Sequence, residues 1–334
     1  MKGKLIIYIL VVSTLLACGG NKKYHRSRNK KKIERTVGIA FGGGGAKAAA
    51  EVGVLKVIEE AGVNVGYVSG SSMGAVIGGL YAAGYTANEI DSLLMTEEWL
   101  SLFDRNEMLT SLGSYDRTFL GVIKGDYLEK MLGLALAEKG CTLIEDTKKK
   151  NNIKFSCTTT QVINKESIDE YDIVSGNMAK AIRASMSYPV PIAGFEQVEW
   201  EGRSLVDGGM VNNLPVDLVK TIGAKKVIAI DLESADKGDG ELPLNVSQIR
   251  SLIGISVPIE EILGIKWLAD WLSDHRKSNE KRVRNFESAD VKIRIDLEGF
   301  SIFDFNLLDM HKMSEIGKDV AKTYHWESLK KLNK

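Results

Sequence analysis

Apolar positions along the chain fall into short continuous runs that alternate with segments of helical spacing. Residues 36–41, TVGIAF, form an apolar run of strand length, GGGGAK breaks it, and residues 48–61 carry Val54, Leu55, Val57 and Ile58 at mostly helical intervals before Gly62 stops them. A second apolar run, VNVGYVSG at residues 63–70, predicts a short strand, and residues 75–83 predict the helix that leaves it. IKFSCTTT at 153–160, KKVIAIDL at 225–232 and DVKIRIDL at 290–297 read as further strands with helical patterns between them. Strands alternating with helices predict an α/β sheet. No internal repeat, low-complexity core or second domain boundary interrupts the pattern, and residues 233–243, ESADKGDGELP, read as a polar loop.

The first 35 residues follow a different rule. Lys2 and Lys4 precede an apolar run from Leu5 to Ala17 that is too short to span a bilayer comfortably, so residues 1–17 read as a signal peptide. The junction LLAC, ending at Cys18, resembles a lipobox, in which that cysteine is lipidated and becomes the mature N-terminus anchored in a membrane leaflet. The remainder of segment 18–35 is almost free of apolar side chains and densely basic, as a solvated tether would be, with some attraction to anionic head groups. The expected body is therefore 36–334, placed at a bacterial cell envelope by its anchor, with the outer membrane as the expected site and the leaflet left open.

At 334 residues and 44% hydrophobic, the chain can bury a large core. Its formal charge of zero hides an asymmetry: ten of the 44 basic residues but only one of the 44 acidic ones precede Thr36, leaving 34 basic against 43 acidic in the body. Such a body has no basic footprint for nucleic acid. No cluster of metal-ligand spacing stands out, and neither a metal nor a cofactor is expected.

Candidate chemistry begins at Gly70, Ser72 and Gly74. Glycines cost stability in a strand or helix unless the backbone must turn sharply, and the spacing G-x-S-x-G is that of a turn holding a serine hydroxyl at a sheet edge. The run GGGGAKA, residues 42–48, fits neither a Walker A loop, which needs Gly-Lys-Ser/Thr, nor the dinucleotide fingerprint, whose third glycine is replaced by Lys47 or Ala48. What remains is a set of unhindered backbone amides ahead of a helix, suited to an anion such as a tetrahedral oxyanion. Asp207 closes a short apolar strand ahead of Gly208 and Gly209, although Asp-Gly is also a common turn. The four histidines offer little: His25 lies in the tether, and His275, His311 and His325 lie in charged, helix-like segments.

Taken together, the blocks GIAFGGGGAKAAAEVGVLKVIEEAG, VSGSSMGAVIGGLYAAGY, AKAIRASMSYPVPIAGFEQVEWEGRSLVDGGMVNNLPVDL and ADVKIRIDLEGFSIFDF resemble those of the bacterial patatin-like phospholipases, over residues 36–324. The resemblance rests on the order glycine loop, serine turn, Ser185-x-x-x-Pro189, Asp-Gly-Gly. It implies a three-layer α/β/α sandwich with a mostly parallel central sheet, and a Ser-Asp dyad without histidine acting on lipid or phospholipid esters. On these positions Ser72 is the nucleophile, Asp207 the base, and the amides of Gly43, Gly44 and Gly45 the oxyanion donors. Lys47 takes the family's basic position, and Ala48 stands where the family usually has glycine.

Two other classes fit parts of the pattern: an envelope lipoprotein that binds acyl chains without catalysis, and an α/β-hydrolase esterase recruiting His275, His311 or His325. Cys141 and Cys157 can be paired or be free buried thiols. Residues 244–278 read as helix broken at Pro258, with Trp267 and Trp271 one turn apart, either core or a lipid-facing lid.

Overall fold

A computed structural model describes residues 35–101, 125–164, 166–189, 196–232 and 276–327. The signal and tether with Cys18, the polar loop at 233–243, and the segment bearing Trp267, Trp271 and His275 lie outside the described residues. All described residues belong to one compact unit, Glu34–Lys334.

The chain opens with strand β1 (Val37–Phe41), a single 3-10 turn (Gly45–Ala48) and helix α1 (Ala49–Glu60). β2 (Val65–Gly70), α2 (Met73–Ala82), α3 (Ala87–Leu94) and α4 (Glu97–Ser101) follow. Next come α5 (Asp126–Glu138), α6 (Ile144–Asn151), β3 (Lys154–Val162), β4 (Ile168–Ile173), α7 (Met178–Ser185), β5 (Val198–Trp200) and β6 (Arg203–Asp207). The described chain ends with α8 (Val216–Thr221), β7 (Lys226–Asp231), α9 (Arg276–Glu287), β8 (Val291–Arg294) and α10 (Leu307–Lys322). Each strand expected from the apolar runs is present within a few residues of its expected ends. β4 and β5 were not expected: β4 alternates acidic and half-buried positions, and β5 has only three residues.

Among the described residues eight strands form one sheet ordered β5-β6-β3-β2-β1-β7-β8, with β4 paired to β3. β3, β2, β1, β7 and β8 pair in parallel, whereas β4, β5 and β6 join antiparallel. Helices cover both faces, giving the three-layer α/β arrangement. Side-chain alternation along β1 shows why: Val37, Ile39 and Phe41 enter the larger core, while Ala40 turns to a second cluster with Val216 and Val219 of α8 and Phe286 of α9. Gly38 allows α8 close, because a Cβ there would lie 2.4 Å from a Val219 methyl.

β3 is the hub of the site. Cys157 is flanked by Gly70 of β2 and Ile173 of β4, and Thr159 by Tyr171 of β4 and Asp207 of β6. β4 therefore occupies one edge of β3, while β2 and β6 share the other and approach from opposite ends. Their last residues stop beside Cys157 and Thr159, with only Thr158 of β3 between them.

Cys141 and Cys157 are buried free thiols. Cys141 faces the Ala83 carbonyl and Cys157 the Ala181 carbonyl.

Helices α1 and α10 cross at backbone contact: a Cβ on Gly53 would lie 1.8 Å from the Ser314 carbonyl oxygen, and one on Gly317 2.0 Å from that of Ala50. Gly317→Val is therefore expected to lower unfolding stability by about 3 kcal/mol, the upper end of ordinary overpacking costs, measured by urea denaturation.

Candidate active site

The β2–α2 turn bends as the two glycines suggested. A Cβ on Gly70 would meet the Gly74 carbonyl oxygen at 2.3 Å, and one on Gly74 would meet that of Gly42 at 2.4 Å, so both positions exclude a side chain. Between them Ser72 adopts φ 53° and ψ −128°, a conformation that costs an L residue about 1–3 kcal/mol. Its partners hold it there. The Ser72 amide donates to Ser185 Oγ at 3.0 Å, and Ser185 Oγ donates to the Thr158 carbonyl on β3 at 2.7 Å. The Ser72 side chain stands half-exposed at the N-terminal end of α2.

Asp207, at the end of β6, is fixed through its backbone before its carboxylate acts. Its amide donates to the Ser187 carbonyl at 2.9 Å, and its carbonyl accepts from Thr160 Oγ1 at 2.7 Å. The side chain then accepts from Ser72 Oγ at 2.7 Å on Oδ2, and from the Gly209 amide at 2.8 Å on Oδ1. Gly208 is required for this turn, since a Cβ there would lie 2.3 Å from the Thr158 carbonyl oxygen. Burial pushes the Asp207 carboxyl up to about 7, against the opposing pull of the Ser72 and Gly209 hydrogen bonds. A group with that affinity can accept a serine proton near neutrality, which an exposed aspartate does poorly.

The glycine loop packs directly on the serine: a Cβ on Gly43 would lie 3.1 Å from Ser72 Cβ and 2.2 Å from Asn213 Oδ1. Its amides are not equivalent. That of Gly42 donates to Glu51 Oε1 at 2.7 Å, and that of Gly43 donates to the Asn213 carbonyl at 3.0 Å. The expectation that Gly43 presents a free amide is thus corrected, because this donor is used in holding the loop. Gly44 and Gly45 are half-exposed, and their amides have no partner among the described residues. Gly45 sits at φ 55°, and a Cβ there would strike the Ile302 carbonyl oxygen at 2.3 Å. Lys47 lies half-buried in the 3-10 turn, and the unusual Ala48 is buried with φ −63°, which any residue adopts, so no glycine is needed at that position.

Ser72, Asp207, Gly70, Gly74, Gly208, Gly209 and the glycine loop with Lys47 therefore meet at one end of the sheet. His311 and His325 are exposed, and among the described residues no histidine bonds to Ser72 or Asp207. The residues that sequence reasoning left without a role are Ser185, Thr160, Asn213 and Glu51. Only Ser185 carried a signal, as the first residue of Ser-x-x-x-Pro.

A serine held on a strained strand-to-helix turn against a buried carboxylate, under a glycine loop, places the chain among α/β proteins with hydrolase-like sites. The family model described as patatin-like phospholipase matches residues 39–220, more than half of the chain and inclusive of Ser72 and Asp207, and the chain belongs to that family. It is 36% identical over 214 residues to lysophospholipase nte1 of Emericella nidulans, covering 64% of this chain and 13% of that protein. Against patatin-like phospholipase domain-containing protein 6 of Homo sapiens it is 31% identical over 207 residues, covering 61% of this chain and 14% of that protein. The chain spans a quarter or less of the length of these curated relatives. Among solved structures, VipD from Legionella pneumophila aligns with TM-score 0.47 and 14% identity, covering 87% of this chain and 66% of that one.

An acid whose folded affinity is raised costs stability where it is ionised. The cost grows from the unfolded pKa upward and is complete above the folded value of about 7. Asp207→Asn is therefore expected to melt higher than the wild type at about pH 8 and to lose that advantage by about pH 4, read by thermal denaturation at both values.

Proposed function

We propose that this chain is a serine acyl hydrolase that cleaves carboxylic esters of lipids or phospholipids. The observation that carries the reading is the 2.7 Å hydrogen bond from Ser72 Oγ to Asp207 Oδ2, made by a serine held at φ 53°. Ser72 Oγ attacks the ester carbonyl carbon while its proton passes to Asp207 Oδ2. The carbonyl oxygen becomes an oxyanion facing the Gly44 and Gly45 amides, and collapse expels the alcohol, which takes the proton from Asp207. Water then attacks the acyl-serine and gives its proton to Asp207, and collapse breaks the acyl bond to Ser72 Oγ, which takes that proton back from Asp207 as the free acid leaves. Ser72 is the N-cap of α2, so the helix's amide dipoles add a favourable field for developing negative charge. Several relatives, that of Emericella nidulans among them, are named lysophospholipases, which supports a single-chain phospholipid among the substrates.

Ser72→Ala and Asp207→Asn are each expected to lower turnover of a soluble short-chain ester by roughly a thousandfold or more. The wild-type rate is expected to rise through about pH 7 as Asp207 ionises. A panel of phospholipids, lysophospholipids and triacylglycerols, read by fatty-acid release, identifies the ester class. A wild-type rate equal to that of Ser72→Ala on the whole panel would overturn the reading, whereas Ser72-dependent turnover that is lost in a combined His275, His311 and His325 variant would favour the histidine-dependent esterase.

The anchor is a separate part of the proposal. LLAC and the basic segment 18–35 support a bacterial lipoprotein held at the cell envelope by acyl chains on Cys18, which brings the body to its substrates at high effective concentration. Palmitate labelling is expected to mark the wild type and not Cys18→Ala. The Cys18→Ala protein should leave the membrane fraction and keep its rate on soluble esters.

A further inference from the structure

Glu51 lies in the first turn of α1, fully buried beneath the glycine loop, and Ser72-based hydrolysis as written above does not use it. Its Oε1 takes the Gly42 amide at 2.7 Å, and its Oε2 has no partner among the described residues. Burying a carboxyl with one oxygen unpaired is costly, and an apolar side chain of similar size would pack there more cheaply. The compensating gain lies at Gly42. β1 ends at Phe41, so the Gly42 amide leaves the parallel ladder at a buried point where an unpaired donor would be costly. The next amide, of Gly43, is held by the Asn213 carbonyl, and only then come the two amides without a partner among the described residues. Two anchors therefore set the path along which the Gly44 and Gly45 amides are presented.

We propose that Glu51, as a neutral carboxylic acid, is a positioning residue for the oxyanion loop, fixing Gly42 so that the Gly44 and Gly45 amides face the oxygen that becomes negative at Ser72. The inference rests on the hydrolase reading given above. Neutrality belongs to it because an anion directly behind the loop would oppose the oxyanion that the loop is arranged to hold. Burial drives the Glu51 carboxyl well above its usual range, and Asp231 on β7 pushes it the same way, while the Gly42 amide pulls it back. Asp231 is itself bound by Arg282 of α9 and Arg294 of β8.

The test compares Glu51→Met, which keeps the volume and removes the acceptor, with Glu51→Gln, which keeps a neutral acceptor. Glu51→Met is expected to lower kcat on a soluble ester by at least about tenfold with KM within about twofold, a part of the hundredfold or more that loss of a whole oxyanion donor costs. Its Gly42 amide should exchange hydrogen at least about tenfold faster than in the wild type, since that donor loses its partner. Glu51→Gln is expected to match the wild type in both measurements. A folded Glu51→Met with wild-type kcat and wild-type Gly42 exchange would overturn the inference. So would a folded Glu51→Gln with depressed kcat, which would mean that charge is required, and this arm decides if Glu51→Met does not fold. Absence of any Ser72-dependent turnover in the wild type would sink the hydrolase reading instead, and Gly42 exchange would still report whether Glu51 holds the loop.

Discussion

Two strands ending head to head on one edge of β3 set the geometry of everything else in the molecule. β2 arrives in parallel and β6 antiparallel, and their ends are separated by the single residue Thr158. Backbone pairing along β3 is rigid and repeats at about 3.3 Å per residue, so this register alone brings Ser72 and Asp207 within reach of one hydrogen bond. The same Thr158 carbonyl takes the Ser185 hydroxyl that supports the Ser72 amide, and it is the atom that forbids a side chain at Gly208. One peptide unit thus braces the serine, and crowds the turn that carries the aspartate.

The site is costly to build, and the surrounding fold carries that cost. Ser72 is held in a disfavoured backbone conformation, Asp207 is buried with a raised proton affinity, and Glu51 leaves a buried oxygen unpaired. Each is tolerated because the elements around it are fixed independently: β1 is paired on both sides, and α1 is packed on α10 at backbone contact. Features of this kind gather where a protein trades stability for chemistry. The small residues lining the contact between loop and turn follow from the same demand. A Cβ on Gly74 would lie 2.4 Å from the Gly42 carbonyl oxygen and one on Gly43 3.1 Å from Ser72 Cβ, so loop and turn approach too closely for larger side chains.

Much of this was legible along the chain. Apolar runs marked the strands because a parallel sheet covered on both faces admits no polar alternation, and β1, β2 and β7 are of that kind. β4 was illegible for the opposite reason, being an antiparallel strand of acidic and half-buried positions, IDEYDI. Ser72, Asp207 and the glycine loop announced themselves because sharp turns demand glycine at fixed spacings. Asn213 and Glu51 did not, since an asparagine before Leu-Pro and a glutamate in an amphipathic helix look like surface residues until the backbone amides they serve are located.

The sequence by itself determined the alternation of strands and helices, the two glycine-framed turns, and the family to which they belong, because these depend on local backbone permission and on side-chain periodicity. Tertiary structure alone decided which groups meet. The pairing of Ser72 with Asp207 spans 135 residues of chain, the Gly43 amide is taken by a carbonyl 170 residues later, and the Ser72 amide is held by a hydroxyl 113 residues on. Contacts at such separations depend on strand order and register, which no local pattern encodes, and they separate the loop amides that brace the fold from those left to face a ligand.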